Sequence, residues 1–146
     1  MRRDLEDKEA TEALGRTIGS ALDPGHCVLL VGDLGAGKTT LARGVARALG
    51  VTGVVPSPTF ALVIEHAGRV PLLHADLYRL GPGAPIDDLG LDRDDAVVLI
   101  EWPERNLGAL PADHLVVALT DAGTGRQAIL SATGPRHAAL LAALSR

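Results

Sequence analysis

Gly32 to Thr40, GDLGAGKTT, holds the residue types and spacing that could bind a phosphate. The stretch satisfies G-x-x-x-x-G-K-[ST] with Gly32, Gly37, Lys38 and Thr39. Glycines there let successive backbone N–H groups converge on phosphate oxygens without obstruction by a Cβ. The Lys38 ammonium reaches the β- and γ-phosphates, and the Thr39 hydroxyl can ligate Mg²⁺. The remaining loop residues, Asp33, Leu34, Gly35, Ala36 and Thr40, would wrap the same ligand. Context supports the motif. Cys27 to Val31 is a short apolar strand ahead of it, and Leu41, Val45, Ala48 and Leu49 follow at helical spacing. Strand, glycine loop and helix together aim a helix N-terminus at an anion. The stretch reads as a nucleotide site.

Hydrolysis or transfer also needs a carboxylate for Mg²⁺ and a group that orients the attacking atom. Two predicted strands end in acids, Val70 to Asp76 and Ala96 to Glu101. The ligand edge of an α/β sheet gathers the carboxyl ends of its strands, so both acids could face the phosphates. The second strand resembles a Walker B strand with Glu in place of the usual Asp. For each acid the competing reading is a solvated strand end. Ser57-Pro58-Thr59 lies where a GTPase-like switch places a γ-phosphate-sensing Thr, and it reads equally well as a turn. His74 reads as a packed core histidine.

These residues need elements to hold them. Asp7 is a fair N-cap for a helix reaching about Leu22. Pro56 and Pro58 exclude regular structure after the loop helix. A strand is expected from about Phe60 to His66, a turn at Ala67 to Arg69, and a second strand from Val70 to Asp76. Ile86 to Leu91 is expected to form a short helix. Ala96 to Ile100 is an unbroken apolar run, expected to be buried on both faces. Leu115 to Leu119 and Ala128 to Ala132 should pair antiparallel, and Gly134-Pro135 should open a last helix. The expected fold is a single α/β domain over residues 1–146, a three-layer sandwich with a mixed, mostly parallel sheet of the P-loop NTPase type.

Composition narrows the classes. A chain of 146 residues with 47% apolar residues can bury about 70% of its unfolded surface. No apolar run approaches a membrane span, and MRRDLEDKE is too charged for a secretory signal. Cys27 is the only cysteine, which offers neither a disulfide nor a metal cluster and fits a reducing cytoplasm. A net charge of −4 lacks the cationic footprint of tight nucleic-acid binding. Asp87, Asp88, Asp92, Asp94 and Asp95 lack calcium-loop spacing and read as a solvated acidic face. The single Phe, Tyr and Trp (Phe60, Tyr78, Trp102) all lie at the ends of the candidate active segments. Core packing and a docking surface both explain that placement.

Four segments in order, GDLGAGKTT, SPTF (Ser57 to Phe60), HADLYRL (His74 to Leu80) and IEWPER (Ile100 to Arg105), resemble the small bacterial ATPase family TsaE, also called YjeE. The resemblance covers nearly the whole chain. It implies a P-loop ATPase that binds ATP and Mg²⁺, works weakly alone and docks on a TsaB–TsaD heterodimer. That complex makes tRNA threonylcarbamoyladenosine beside the anticodon, so tRNA is met indirectly. By the same resemblance Lys38 serves the phosphates, Thr39 and Glu101 the metal, and Asp76 hydrolysis. Thr59 would be switch-like, and Thr11 and Arg126 would border the base. Two other readings remain, a small-molecule kinase and a nucleotide-gated interaction module. A kinase would need an acceptor pocket and an Arg-bearing lid. No insertion between Glu101 and the closing hairpin is long or basic enough to supply that lid.

Overall fold

A computed structural model describes residues 1–146 except Pro56, Ser57, Thr59, Phe60, Ala61, Pro82 and Arg105. The expectations placed on Ser57, Thr59, Phe60 and Arg105 therefore lie outside the described residues. Among the described residues seven strands form one sheet: β1 (Arg2–Leu5), β2 (Cys27–Val31), β3 (Val63–His66), β4 (Leu72–Asp76), β5 (Val97–Glu101), β6 (His114–Ala122) and β7 (Gly125–Thr133). Their spatial order is β1-β7-β6-β2-β5-β4-β3. The central four, β6, β2, β5 and β4, run parallel, and antiparallel partners close both edges. The sheet is mixed, as the two hairpins require.

Helices α1 (Lys8–Ser20), α2 (Lys38–Ala48) and α3 (Pro135–Leu144) share the larger core with Val28, Leu30, Leu99, Leu115 and Val117. Cys27, Leu29, Val98 and Ile100 point to the opposite face. Irregular chain bearing Ile86, Leu91 and Leu110 covers them, with 3₁₀ turns at Asp87–Leu89 and Leu107–Ala109. The third layer is thus loop and 3₁₀ turn, with the α-helices gathered on one side. Strand alternation produces this division, since neighbouring residues of a strand face opposite layers.

Helix α1 crosses α2 at very short range. A Cβ on Gly15 would stand 2.2 Å from the Leu41 carbonyl oxygen, and one on Gly44 would stand 2.2 Å from the Glu12 carbonyl oxygen. Asp7 caps α1 by accepting from the Ala10 N–H at 2.8 Å. Helix α3 is capped by Asp113, whose carboxylate accepts from the N–H groups of Arg136 and His137 at 3.1 and 3.0 Å. Among the described residues no side chain caps α2, whose N-cap residue Gly37 sits at φ 108°.

Several boundaries differ from expectation for local reasons. The first hairpin strand begins at Val63, because Leu62 adopts φ 62° and breaks the extended run. Its partner begins at Leu72 and not at Val70; Pro71 has no N–H for the ladder, though its carbonyl still accepts from Val97 at 2.9 Å. The expected helix at Ile86 to Leu91 shortens to one 3₁₀ turn, stopped by Gly90 at φ 68°. No helix among the described residues is long and apolar enough to cross a membrane.

Candidate functional site

Strand register assembles the site. Leu30 of β2 lies beside Glu101 of β5, and Glu101 lies beside Asp76 of β4. These positions form a row at the carboxyl edge of the parallel strands, where β2 passes into the glycine loop. Because β6 is parallel to β2, its turn into β7 reaches the same edge and delivers Arg126. Strand β1 pairs with β7 so that Leu5 lies opposite Arg126. The chain leaving β1 therefore brings Asp7 and α1, with Thr11, to that edge. Gly125 permits this approach, since a Cβ there would meet the Leu5 carbonyl oxygen at 2.3 Å.

A cavity of about 600 Å³ opens at this edge. Its wall contains Leu34, Gly35, Ala36, Gly37, Lys38, Thr39 and Thr40 of the loop, with Thr11, Asp76, Glu101 and Arg126. Asp33 is not in that wall. It lines a neighbouring cavity of about 490 Å³ across the loop, and its carbonyl accepts from the Ala36 N–H at 3.0 Å. Glu6, Lys8, Trp102, Thr124 and Gly125 also line the larger cavity. No spacing signal in the sequence links Glu6, Lys8 or Thr124 to the loop, and Gly125 stands out only beside Arg126 in the family resemblance. Their link is the pairing of β1 with β7.

Lys38 is 5% exposed and donates from Nζ to the Gly32 carbonyl at 2.6 Å. Its ammonium also lies 3.4 Å from the centroid of the Trp102 ring. Burial pushes its pKa down, while Glu101, Glu104, Asp76 and Asp33 pull it back up. Trp102 sits at φ 57°, and Tyr78 packs against it at a tilt of 52° with centroids 4.8 Å apart. The Asp76 carboxylate accepts from the Tyr78 N–H at 2.9 Å, and Glu101 meets Nε2 of His74 at 2.7 Å. Arg126 bonds the Gly35 carbonyl at 3.2 Å and pairs with Asp121 at 3.1 Å, tying the loop tip to the closing hairpin. Arg79 is likewise engaged within the chain.

Two features fit an anion accompanied by a hard cation. The N-terminus of α2 opens on the cavity with no side-chain cap among the described residues, whereas carboxylates cap α1 and α3. An uncapped helix start with a buried lysine is what a phosphate would complete. The Thr39 hydroxyl and the acids Asp76 and Glu101 share the same wall. Among the described residues, no group of three or more His, Cys, Asp or Glu could hold a metal ion unaided. That donor set suits Mg²⁺, which takes one or two carboxylates and completes its shell with phosphate oxygens and water.

Loop, sheet order and helix placement define a protein of the P-loop NTPase type. A crystal structure titled "Crystal structure of Bacillus subtilus YdiB" matches with TM-score 0.87 and 32% identity, covering 100% of this chain and 94% of that one. The sequence profile of the family described as "Threonylcarbamoyl adenosine biosynthesis protein TsaE" matches residues 5–129. The chain belongs to the TsaE family. A tRNA threonylcarbamoyladenosine biosynthesis protein TsaE of Nostoc sp. is 44% identical over 132 residues, 85% of this chain and 81% of that protein. The Bacillus subtilis protein of the same name is 38% identical over 143 residues, 94% of this chain and 89% of its own.

Proposed function

We propose that this protein binds and hydrolyses Mg²⁺–ATP in support of tRNA threonylcarbamoyladenosine formation, and that a TsaB–TsaD heterodimer completes its activity. The observation that carries the nucleotide reading is the uncapped start of α2, which opens on the cavity beside buried Lys38. The biosynthetic role follows from family membership and from the names of the relatives.

In this reading the loop N–H groups and Lys38 bind the phosphates, and Thr39 and Glu101 hold the metal. When bound, Mg²⁺ supplies neutralisation of the charge that develops on the transferred phosphoryl oxygens. Asp76 lies beside Glu101 in register, held by the Tyr78 N–H, and orients the attacking water. Thr11 and Arg126 border the far end of the cavity and meet the base and ribose. Thr59 senses the γ-phosphate.

Arg126 is spent on Asp121 and the loop tip. Among the described residues Arg126 is the one arginine lining the cavity; a transition-state arginine contributes on the order of 10³–10⁵ in rate, so a site that has none at the phosphates turns over slowly until a partner brings it. Steady-state ATP hydrolysis across a titration of purified TsaB–TsaD tests this. A low basal rate rising with partner is expected, with Asp76→Ala binding ATP normally but insensitive to partner. A high basal rate unchanged by saturating partner would refute it.

A further inference from the structure

Glu101 is 3% exposed, and a carboxylate so buried needs a donor. Among the described residues its one side-chain hydrogen bond is to His74, whose Nε2 lies 2.7 Å from Glu101 Oε2. His74 is itself 1% exposed. On the same face Leu72 precedes it by one strand repeat and Leu99 is its register partner on β5, while Asp76 follows it by one repeat and His66 lies opposite Leu72. The other ring nitrogen, Nδ1, is buried with no hydrogen-bond partner among the described residues. A histidine retained for a structural network normally satisfies both nitrogens. Here one contact alone gives the imidazole a polar purpose, and that contact is the Glu101 carboxylate.

We infer that His74 is a positioning residue for Glu101. Its Nε2–H holds Oε2 and fixes the carboxylate rotamer, so that Oε1 remains available to a metal-bound nucleotide. The inference rests on the proposed role of Glu101 as a metal ligand. Residues that orient a ligand in this way commonly change metal affinity by 10–100-fold when removed, and a short charge-assisted bond is the usual means. The geometry follows from strand parity. His74 and Asp76 are two residues apart on β4 and face the same layer, so Glu101 is held by the first and flanked by the second.

The test measures ATP affinity of the full chain by calorimetry, in EDTA and across a Mg²⁺ titration. For H74L, affinity in EDTA should match wild type, while the Mg²⁺ needed for tight binding should rise about tenfold or more. H74Q keeps an amide donor near the position of Nε2 and should stay within about threefold of wild type. H74N places its donor near Nδ1 instead and should behave like H74L. In an E101Q background, H74L should add less than about twofold. Wild-type Mg²⁺ dependence in H74L would overturn the inference, as would equal losses in H74Q and H74N or an undiminished effect in E101Q. Should H74L fail to fold, H74Q against H74N decides. If wild type itself shows no Mg²⁺-dependent ATP binding, the proposed function falls and takes this inference with it. Normal wild-type binding with an indifferent H74L overturns the His74 role alone.

Discussion

The Lys38 ammonium lies 3.4 Å from the centroid of the Trp102 indole while its Nζ donates to the Gly32 carbonyl at 2.6 Å. The lysine is parked on its own loop, and a phosphate must draw it away. A cation–π contact contributes roughly 0.5–2 kcal/mol, small beside the charge-assisted bonds a triphosphate offers. Trp102 is the only tryptophan, so its emission reports this exchange alone. Emission should change on adding Mg²⁺–ATP. A spectrum indifferent to saturating nucleotide would mean that Lys38 stays parked and that the phosphate assignment is wrong.

Lys38→Ala and Thr39→Ala should fail differently. The first removes a charge that in the proposed function spans two phosphates, so ATP affinity should fall roughly 10–100-fold even in EDTA, as expected for hydrogen bonds to charged groups. The second removes the proposed metal ligand, so its loss should appear only when Mg²⁺ is present. Calorimetry with and without Mg²⁺ separates the two. Equal ATP affinity for wild type and Lys38→Ala contradicts the assignment of the loop.

Gly15→Ala sets two effects against each other. Alanine in a helix interior gains roughly 0.5–1 kcal/mol over glycine. The added methyl, however, would lie 2.2 Å from the Leu41 carbonyl oxygen, and backbone cannot rotate aside as a side chain can. Overpacking of this kind costs about 1–3 kcal/mol, so net destabilisation is expected. Urea unfolding should show a lower midpoint. ATP binding should weaken as well, because α1 carries Thr11 to the cavity. A more stable variant would mean that α1 and α2 separate easily.

Acid should destabilise the fold from about pH 6.5 downward. His137 Nε2 accepts the Cys27 N–H at 2.9 Å, so the ring is neutral with its proton on Nδ1, donating to Asp113 at 2.7 Å. Burial lowers the pKa of His137, partly offset by its hydrogen bond to Asp113. Burial lowers His26 and His66 too, aided by His137 and His74 respectively. Each folded pKa lies below the unfolded value of 6.5, so the unfolded chain takes up protons first as pH falls. The contribution is complete above the unfolded pKa and is lost as pH drops through the folded one, at most about 1.4 kcal/mol per pH unit for each ring. Denaturant midpoints compared at pH 7.5 and 5.5 check this, and His137→Gln should flatten the slope. A midpoint independent of pH across that range would contradict it.

The loop, the two acid-tipped strands and the two hairpins were legible because each is written locally, in spacing, apolar runs or turn residues. Arg2 to Leu5 was not. Those four residues show no apolar alternation, and their strand state comes from pairing with β7 at 126–129, far along the chain. The same pairing carries Glu6 and Lys8 to the cavity, whereas Thr11 and Arg126 at that end were reached only through the family resemblance and not from spacing. His74 read as a packed histidine, and it is buried as expected. Its contact with Glu101 depends on the register of two strands 27 residues apart, which composition cannot encode. Asp113 likewise gave no signal, because it caps a helix that begins more than twenty residues later.

Buried Cys27 has a practical consequence for labelling. Its thiol is 3% exposed, and burial pushes its pKa up to about 12, so thiol reagents at neutral pH have almost no thiolate to attack. A dye can therefore be installed without first removing the native cysteine. Val54 is 88% exposed and shortly precedes Thr59. In V54C the introduced thiol would take the fluorophore alone, giving an optical handle five residues ahead of the proposed γ-phosphate sensor in sequence, separate from the Trp102 signal.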